Sequence, residues 1–223
     1  MAIDKWLLSQ HHLGLHPPTL RFYTWSPVAI SLGYHQSKFP PHWQQLTWNG
    51  EPVELVRRPT GGRAVLHQGD LTYAVVTSGL SGNRTQVYQQ LCEFLIQGWQ
   101  LLGVQLHYGD AGRGYIHNPN CFGTATGADL VLPDGNKLIG SAQLKRHQAI
   151  LQHGSIRLQP DLELFKQVFG DTDFSLPNLP TIQIEEVIQA LTIAASDRFN
   201  GQLEIEPLSA TEWEAILAQQ AEI

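Results

Sequence analysis

Residues 128–158 place the strongest constraint on the fold. Three segments of strand-like composition follow one another there, namely ADLVL (128–132), KLIGSAQLKR (137–146) and AILQHGSIRL (149–158). The sequence PDGN (133–136) separates the first two, and its Asp-Gly pair is a strong signal for a tight hairpin turn. The sequence therefore predicts three consecutive antiparallel strands in one sheet.

Strands and helices alternate irregularly along the rest of the chain. Further strands are predicted at TLRFYTW (19–25), AISLGYH (29–35), VELVRR (53–58), RAVLH (63–67), LTYAVVT (71–77) and VQLHY (104–108). Helices are predicted around Leu7, at 85–102, 160–169 and 182–199, and from Ala210, where Ser209 and Glu212 form a capping box. VELVRR is expected to turn through Pro59-Thr60-Gly61-Gly62 into RAVLH as part of a meander. Meanders with helices between and after them indicate an α+β fold.

Composition limits the class of protein. A length of 223 residues with 42% hydrophobic residues fits one large domain or two small ones. No window approaches 18 uncharged apolar residues, and residues 1–10 do not resemble a secretory signal, so we expect a cytoplasmic protein. Its two cysteines, Cys92 and Cys121, form neither a disulfide framework nor a Cys-rich zinc site.

Charge is distributed unevenly along the chain. Residues 1–150 hold 11 Lys and Arg against 8 Asp and Glu, whereas residues 151–223 hold 3 against 12. The overall net charge of −6 argues against non-specific binding of nucleic acid. The first two thirds are expected to attract an acidic partner through five basic residues, unless these are merely solvated surface charges: Arg57, Arg58, Arg63, Lys145 and Arg146.

Three segments are candidates for chemistry, although the common nucleotide, phosphate and zinc signatures are absent from the sequence. In RRPTGGR (57–63), paired glycines would bring backbone N–H donors close to a ligand, and a plain Gly-Gly hairpin turn is the alternative. Lys137 precedes the small residues of GSA (140–142), and its alternative is a solvated lysine after a turn. Cys121 lies in an irregular, Gly-rich segment at 109–127, unlike Cys92, which is interpreted as a buried residue on a helix flank.

The order of these motifs resembles that of the lipoate–protein ligase A and octanoyltransferase family. The resemblance rests on RRPTGGRAVLHQGDLTYAVV (57–76), NCF (120–122), DLVLPDGNKLIGSAQ (129–143), ILQHGSI (150–156) and LRFYTWSPVAISLGYHQ (20–36). It covers nearly everything from Ile3 to about Leu158. The resemblance implies a biotin/lipoate ligase-like catalytic domain, an α+β fold with mixed, largely antiparallel sheets flanked by helices. A single domain of residues 1–223 is expected, with a core to about 170 and a helical extension from about 181.

Within this family, three features favour a transferase resembling the LipM type. Cys121 stands where those octanoyltransferases have their nucleophile. Ala128-Asp129 replaces the Asn-Asp pair that ligases usually show, which weakens the case for an ATP and magnesium site. The roughly 65 residues after Leu158 are acidic and helical, unlike the accessory domain of many ligases. The LipB type fits less well, because its cysteine lies further downstream and this chain has none after Cys121.

The resemblance also implies roles for individual residues. Cys121 is the expected nucleophile, and Lys137 is expected to favour its thiolate and to transfer protons. The expected substrate-binding residues are Arg57, Arg58, Thr60, Gly61, Gly62, Arg63, His67, Gly140, Ser141, Ala142, His153 and Gly154. The oxyanion is expected to be bound by backbone N–H groups of the Thr60-Gly61-Gly62 turn or of residues 140–142. His67 and His153 are expected either to support the reacting groups by hydrogen bonds or to be satisfied by backbone.

The implied reaction moves an octanoyl group from octanoyl-acyl carrier protein to a lysine of lipoyl domains, such as those of glycine cleavage H protein or 2-oxoacid dehydrogenase subunits. It proceeds through a cysteine acyl-enzyme and requires no metal or cofactor; neither nucleic acid nor membrane is expected as a partner. The alternatives are an ATP- and magnesium-dependent lipoate ligase, a lipoyl amidotransferase, and a non-catalytic protein that binds acyl groups or lipoyl domains.

Overall fold

The fold was analysed in a computed structural model, which describes residues 1–109, 127, 129–170 and 176–221. Cys121 and nearly all of the irregular segment at 109–127 therefore lie outside the described residues. No helix in the described part of the chain is long and apolar enough to cross a membrane.

Eleven strands and five α-helices make up the described structure. The strands are β1 (Thr19–Tyr23), β2 (Ala29–Leu32), β3 (Thr47–Trp48), β4 (Glu51–Pro52), β5 (Glu54–Arg57), β6 (Val65–His67), β7 (Asp70–Ser78), β8 (His107–Tyr108), β9 (Asp129–Val131), β10 (Lys137–Arg146) and β11 (Ala149–Arg157). The helices are α1 (Ala2–His12), α2 (Arg84–Leu101), α3 (Leu162–Phe169), α4 (Ile184–Phe199) and α5 (Ala210–Ala221). The mixture of sheets and helices confirms the predicted α+β class.

The large sheet has six antiparallel strands in the order β1-β7-β11-β10-β9-β8. The predicted run of three antiparallel strands is confirmed as β9, β10 and β11. In the turn between β9 and β10, Asp134 Oδ1 accepts from the backbone N–H of Asn136 at 2.9 Å, and Gly135 adopts a φ of +85°. This positive φ explains why glycine stands there.

The small sheet corrects the prediction of a meander. Strands β5 and β6 do not pair with each other, because β2 lies between them, parallel to β5 and antiparallel to β6. The backbone N–H of Arg58 bonds to the carbonyl of Leu32 at 3.0 Å, so the chain passes the end of β2 before it turns back. The segment through Gly61 and Gly62 is therefore a connection over the end of the central strand, and the hairpin prediction is wrong.

Two faces of the large sheet carry different layers. One face is covered by α2 and α4 and is called here the helix-covered face. These helices pack on alternate strand residues and bury the largest apolar cluster, which includes Phe94, Trp99 and Leu191. On the opposite face, α1 and part of α5 cover one half of the sheet. The other half faces the small sheet, which packs on α3. Because α4 contributes to the largest core, the predicted C-terminal extension is packed into the fold.

Capping explains where two predicted helices begin. Asn83 caps α2 by accepting from the backbone N–H of Gln86 at 3.0 Å, while the Gln86 side chain accepts from the Asn83 N–H. The predicted capping box before α5 is confirmed, since the side chains of Ser209 and Glu212 exchange hydrogen bonds with each other's backbone.

One segment was missed by the sequence analysis. A 3-10 helix at Pro41–Gln45 and the hairpin of β3 and β4 follow β2. The predicted strand at 29–35 ends at Leu32, and the 3-10 helix buries Trp43, whose indole N–H donates to the carbonyl of Val168 at 2.7 Å. Short elements of this kind are fixed by such long-range contacts, which local periodicity does not report.

Candidate active site

A cleft lies between the large sheet and the small sheet. The first wall is the glycine turn (residues 60–62) with the end of β6, and the second wall is formed by β10 and β11. The cleft holds about 400 Å³ of space, including its opening to solvent. Nine of the residues expected to bind substrate line it: Arg58, Gly61, Gly62, His67, Gly140, Ser141, Ala142, His153 and Gly154. The structure therefore brings together segments that are about 80 positions apart in the sequence.

The glycine turn is held by close backbone packing. Gly62 has a φ of +99°, and a Cβ built on Gly33 would lie 1.8 Å from the carbonyl oxygen of Gly62. Two arginines, the buried Arg58 and the exposed Arg57, donate hydrogen bonds to the surrounding carbonyls. Arg58 donates to the carbonyls of Ser31 and Gly61 at 2.9 Å, and Arg57 donates to the carbonyl of Gly33 at 2.8 Å. The turn is thus a rigid part of the wall.

This arrangement corrects the expected basic surface. Arg58 is buried, and its guanidinium is directed at backbone oxygens, so it is not part of an exposed cationic face. Arg57, Lys145 and Arg146 are exposed, whereas Arg63 is half-buried. Arg146 donates to Ser9 Oγ at 3.0 Å, beside the half of the sheet that α1 covers. An attraction of acidic partners by these four remaining residues stays a prediction.

The first polar network in the cleft is centred on Asp70. Its Oδ2 lies 2.8 Å from Nδ1 of His67 and accepts from the hydroxyl of Ser155 at 2.7 Å. Nε2 of His67 lies 2.8 Å from Ser31 Oγ, and the Trp25 ring stacks on the His67 ring with centroids 4.2 Å apart. This network joins β6 of the small sheet to β7 and β11 of the large sheet. His67 is therefore bound by side chains, not by backbone.

The second polar network is centred on Asp4, which is fully buried in α1. Its Oδ2 lies 3.1 Å from Nδ1 of His153 and accepts from the hydroxyl of Tyr23 at 2.9 Å, while Arg21 binds Oδ1. Burial acts to raise the pKa of Asp4, but the hydrogen bond with His153 and the Arg21 charge outweigh it and hold the pKa at about 2. Burial lowers the pKa of His153, whose Nε2 lies 2.6 Å from Thr60 Oγ1.

Lys137 stands at the start of β10, three residues before the small-residue segment. Its side chain is buried, and Nζ lies 2.8 Å from Asp129 Oδ1 on the neighbouring strand β9. The alternative of a solvated lysine is therefore wrong. Cys121, the expected nucleophile, lies outside the described residues.

Cys92 lies on the helix-covered face and is fully buried, as the sequence predicts. Its Sγ accepts from the Gln152 amide at 3.3 Å, and that amide also donates to the Tyr73 hydroxyl at 3.2 Å. Burial raises the pKa of the Cys92 thiol to about 12. This thiol is therefore protonated at neutral pH and inert as a nucleophile.

Sequence reasoning missed the acidic centres of both networks. Asp70 follows His67 by three positions, and Asp4 lies just before the apolar residues Trp6, Leu7 and Leu8 of the predicted first helix. These are the signals by which the two residues could have been found, because a carboxylate buried by a helix or strand needs hydrogen-bond donors from elsewhere. Within the described residues no group of three or more His, Cys, Asp or Glu side chains is placed to hold a metal ion.

Comparisons with known proteins identify the family. Residues 1–194 match the model of the lipoyl protein ligase A/B catalytic domain. The octanoyltransferase LipM of Kyrpidia tusciae is 35% identical over an alignment 242 positions long, which covers 96% of this chain and 87% of the relative. The octanoyltransferase LipM of Lysinibacillus sphaericus is 38% identical over 182 residues, covering 76% of this chain and 65% of that relative.

A solved structure agrees on the fold. The bipartite lipoate protein ligase of Thermoplasma acidophilum, described together with its E2 lipoyl domain, superposes with a TM-score of 0.73 at 21% identity, covering 98% of this chain and 87% of that one. A likeness at this identity concerns the fold, whereas the family match and the curated relatives concern the kind of protein. The chain is an acyltransferase and belongs to the lipoyl protein ligase A/B catalytic domain family.

Proposed function

We propose that this protein transfers an octanoyl group from octanoyl-acyl carrier protein to a specific lysine of lipoyl domains in lipoate biosynthesis. The observation that carries the proposal is the cleft, in which the glycine turn opposes residues 140–142. Small residues on both walls leave room for an extended acyl chain against the strands. The two relatives described above are both named octanoyltransferases, and one of them aligns with 96% of this chain. Their names support octanoyl as the transferred acyl group.

The first half-reaction forms an acyl-enzyme. The Cys121 thiolate attacks the thioester carbonyl of the donor, the tetrahedral oxyanion collapses, and the carrier protein leaves as a thiolate that takes up a proton. The new bond joins Cys121 Sγ to the octanoyl carbonyl carbon, and the bond that breaks is the one to the carrier's sulfur. One thioester replaces another, so no energy source is needed.

The second half-reaction forms an amide. The neutral amine of the acceptor lysine attacks the Cys121 thioester, the oxyanion forms and collapses again, and the Cys121 thiolate leaves while the amine nitrogen loses a proton. Amides are more stable than thioesters, which drives the transfer forward. The lipoyl domain of a 2-oxoacid dehydrogenase subunit or of glycine cleavage H protein is the proposed acceptor.

Lys137 is the proposed proton carrier and cationic partner of Cys121. A cation near a thiol favours its thiolate, whose ordinary pKa is about 8.5. The ion pair with Asp129, 2.8 Å from Nζ, restricts where Nζ can lie. Backbone N–H groups of the glycine turn or of residues 140–142 are the proposed oxyanion donors, each of which commonly contributes about 3 kcal/mol.

We propose that the transfer requires neither ATP nor a metal. An ATP-dependent lipoate ligase is the second candidate, favoured by the fold likeness to a lipoate protein ligase. It would need ATP, magnesium and free lipoate, and it would tolerate Cys121→Ser. An amidotransferase would keep the cysteine but use a lipoylated domain as donor.

Intact-mass measurement separates these candidates. The protein is mixed with octanoyl-acyl carrier protein without ATP, beside Cys121→Ser and Lys137→Ala, with Cys92→Ser as the matched control for Cys121→Ser. We expect an added mass of about 126 Da on the parent protein and on Cys92→Ser alone, removed by an apo lipoyl domain. Modification of the lipoyl domain only with ATP and free acid would instead establish a ligase. Modification of the lipoyl domain only when a lipoylated domain is supplied as donor would establish an amidotransferase, and no modification with any of the three donors would point to a binding protein.

A further inference from the structure

A chain of buried hydrogen bonds joins α1 to the glycine turn. Thr60 Oγ1 lies 2.6 Å from Nε2 of His153, and Nδ1 of the same ring lies 3.1 Å from Oδ2 of Asp4. The three side chains are 1%, 3% and 0% exposed, in that order. Because they come from the glycine turn, β11 and α1, the chain ties together three elements that are distant in the sequence.

The partners of Asp4 fix the direction of these hydrogen bonds. Its carboxylate also accepts from the Tyr23 hydroxyl and from Arg21, so it is surrounded by donors and acts only as an acceptor. Nδ1 of His153 therefore carries the ring hydrogen. Burial lowers the pKa of His153, so the ring is neutral near pH 7 and Nε2 is bare. The hydroxyl of Thr60 must then donate to Nε2.

The Thr60 side chain is buried and links the two walls of the cleft through its hydrogen bond to His153. The backbone of the glycine turn is bound to the small-sheet side, since the Tyr34 N–H donates to the carbonyl of Thr60 at 2.9 Å and Arg58 donates to that of Gly61. The hydrogen bond from Thr60 to His153 connects the turn to β11, which forms the second wall together with β10. In that wall His153 stands opposite Ala142, and Gly154 stands opposite Ser141.

We propose that Asp4 and His153 are positioning residues for acyl transfer, which hold Thr60, and with it the glycine turn, at a fixed distance from residues 140–142. The inference rests on the proposed function, because this spacing matters to the reaction only if an acyl group lies between the two walls. Neither residue makes or breaks a covalent bond in this role. A misplacement of about 1 Å can cost on the order of 10²-fold in rate, so one hydrogen bond at this point has a large effect.

The first test observes the ring of His153 directly and needs no substrate. Nitrogen-15 NMR of the parent protein should find the Nδ1–H tautomer. In Asp4→Asn, Arg21 keeps the amide oxygen on its own side and the amide N–H₂ faces Nδ1, which forces the hydrogen to Nε2. An Asp to Asn change is known to produce the wrong histidine tautomer in this way in a Ser-His-Asp site. An unchanged tautomer in Asp4→Asn would overturn the assignment of Asp4.

The second test measures octanoyl transfer by the whole protein from octanoyl-acyl carrier protein to an apo lipoyl domain. Thr60→Val, which keeps the shape of the side chain but not its hydroxyl, is expected to lose about tenfold in kcat/KM, mainly in kcat. Thr60→Ser restores the hydroxyl and should return the rate to within about threefold of the parent. Thr192→Val is the matched control, because its hydroxyl only donates to the carbonyl of Ile188 within α4.

The double variant Asp4→Asn with Thr60→Val decides whether the two residues act together. We expect its loss in kcat/KM to be no larger than that of the worse single variant, since both break one chain of hydrogen bonds. Losses that multiply, or a Thr60→Val protein with the parent rate, would overturn the proposal. A parent protein that transfers no octanoyl group would instead contradict the proposed function, and the NMR result would still report the tautomer. Should Asp4→Asn fail to fold, the comparison of Thr60→Val with Thr60→Ser remains decisive.

Discussion

The two faces of the six-stranded sheet differ: one belongs to an apolar core, and the other lines the cleft over part of its area. Odd-numbered residues of β7, such as Tyr73, point to the helix-covered face, where α2 and α4 bury them among apolar side chains. The even-numbered residues point to the opposite face, where Asp70 and Thr72 belong to a polar network and Ala74 and Val76 pack against α1. The period of two in a strand lets one segment supply a core and a site at once.

The difference lies in what holds each face together. The helix-covered face is stabilised by area removed from water, so its loss would be felt mainly as stability. The cleft face is held by directed hydrogen bonds to two buried carboxylates, Asp4 and Asp70, each surrounded by donors from several elements. Such networks define positions to within a fraction of an ångström, which suits a site that must align reacting groups.

Substitution of Gly154 is expected to have the largest effect on stability. A Cβ on this residue would lie 2.6 Å from Ser141 Oγ and 2.7 Å from both the Gly140 carbonyl and a Tyr73 ring carbon. Because the backbone and the buried ring cannot move easily, we expect Gly154→Ala to lower the free energy of unfolding by about 3 kcal/mol, measured by urea denaturation.

Gly61→Ala is the matched control, since a Cβ there meets nothing within 4 Å. It should change the free energy of unfolding by less than about 0.5 kcal/mol, while lowering octanoyl transfer because the turn lines the cleft. Equal stability of the two variants would contradict the separation of packing from site.

The Asp4 network should make the stability of the protein depend on pH in the acid range. The unfolded chain binds a proton at Asp4 near pH 3.8, whereas the native protein keeps it ionised to about pH 2, so stability falls as pH drops through this window. The full loss is about 2 kcal/mol. His153 adds an earlier decline below about pH 6.5, because its lowered native pKa lets the unfolded chain bind the proton first.

Urea midpoints measured from about pH 7.5 down to about pH 2 would resolve both declines. Asp4→Asn should remove the lower one and His153→Gln the upper one. Glu163→Gln, an exposed pair partner of Lys166 in α3, serves as the control and should leave both in place. A profile that is flat between about pH 6.5 and 4.5 would contradict the buried, neutral state of His153.

Cys92 provides the smallest expected effect. Burial raises the pKa of its thiol to about 12, so it should resist alkylation by iodoacetamide at about pH 8 in the native protein and react only after denaturation. Cys92→Ala removes the acceptor of one Gln152 N–H and should cost about 1 kcal/mol in stability. Mass spectrometry of the labelled protein checks the first statement, and rapid native labelling of Cys92 would show that the helix-covered face opens.

The main strands and helices could be predicted because their signals are local. The Asp-Gly turn marks the hairpin from β9 to β10, and the caps at Asn83 and Ser209 mark the helices that follow them. The pairing of β2 with β5 was not predictable in this way. It joins segments 25 positions apart, such as Ala29 with Glu54, and no local signal reports such a pairing.

In the candidate site, too, some features could be predicted from sequence motifs and others only from the fold. Sequence motifs were sufficient to propose Gly61, Gly62, Gly140 and His153, and the structure gathers them in one cleft. Lys137 was proposed as a cation, but its burial beside Asp129 became visible only in the fold. The role of Asp4 depends on the packing of α1 against the large sheet, which brings it to His153, 149 positions away along the chain.

The sequence by itself determined the α+β class, most strand and helix positions, and the family resemblance, because periodicity, turn residues and motif order act over a few neighbouring residues. Only the tertiary structure decided that Asp4, His153 and Thr60 form one chain, that Arg58 supports the glycine turn from inside, and that Cys92 is inert. Each of these depends on burial and on partners brought from other elements. A buried polar group must find its hydrogen-bond partner wherever the chain places it, and sequence spacing does not encode that distance.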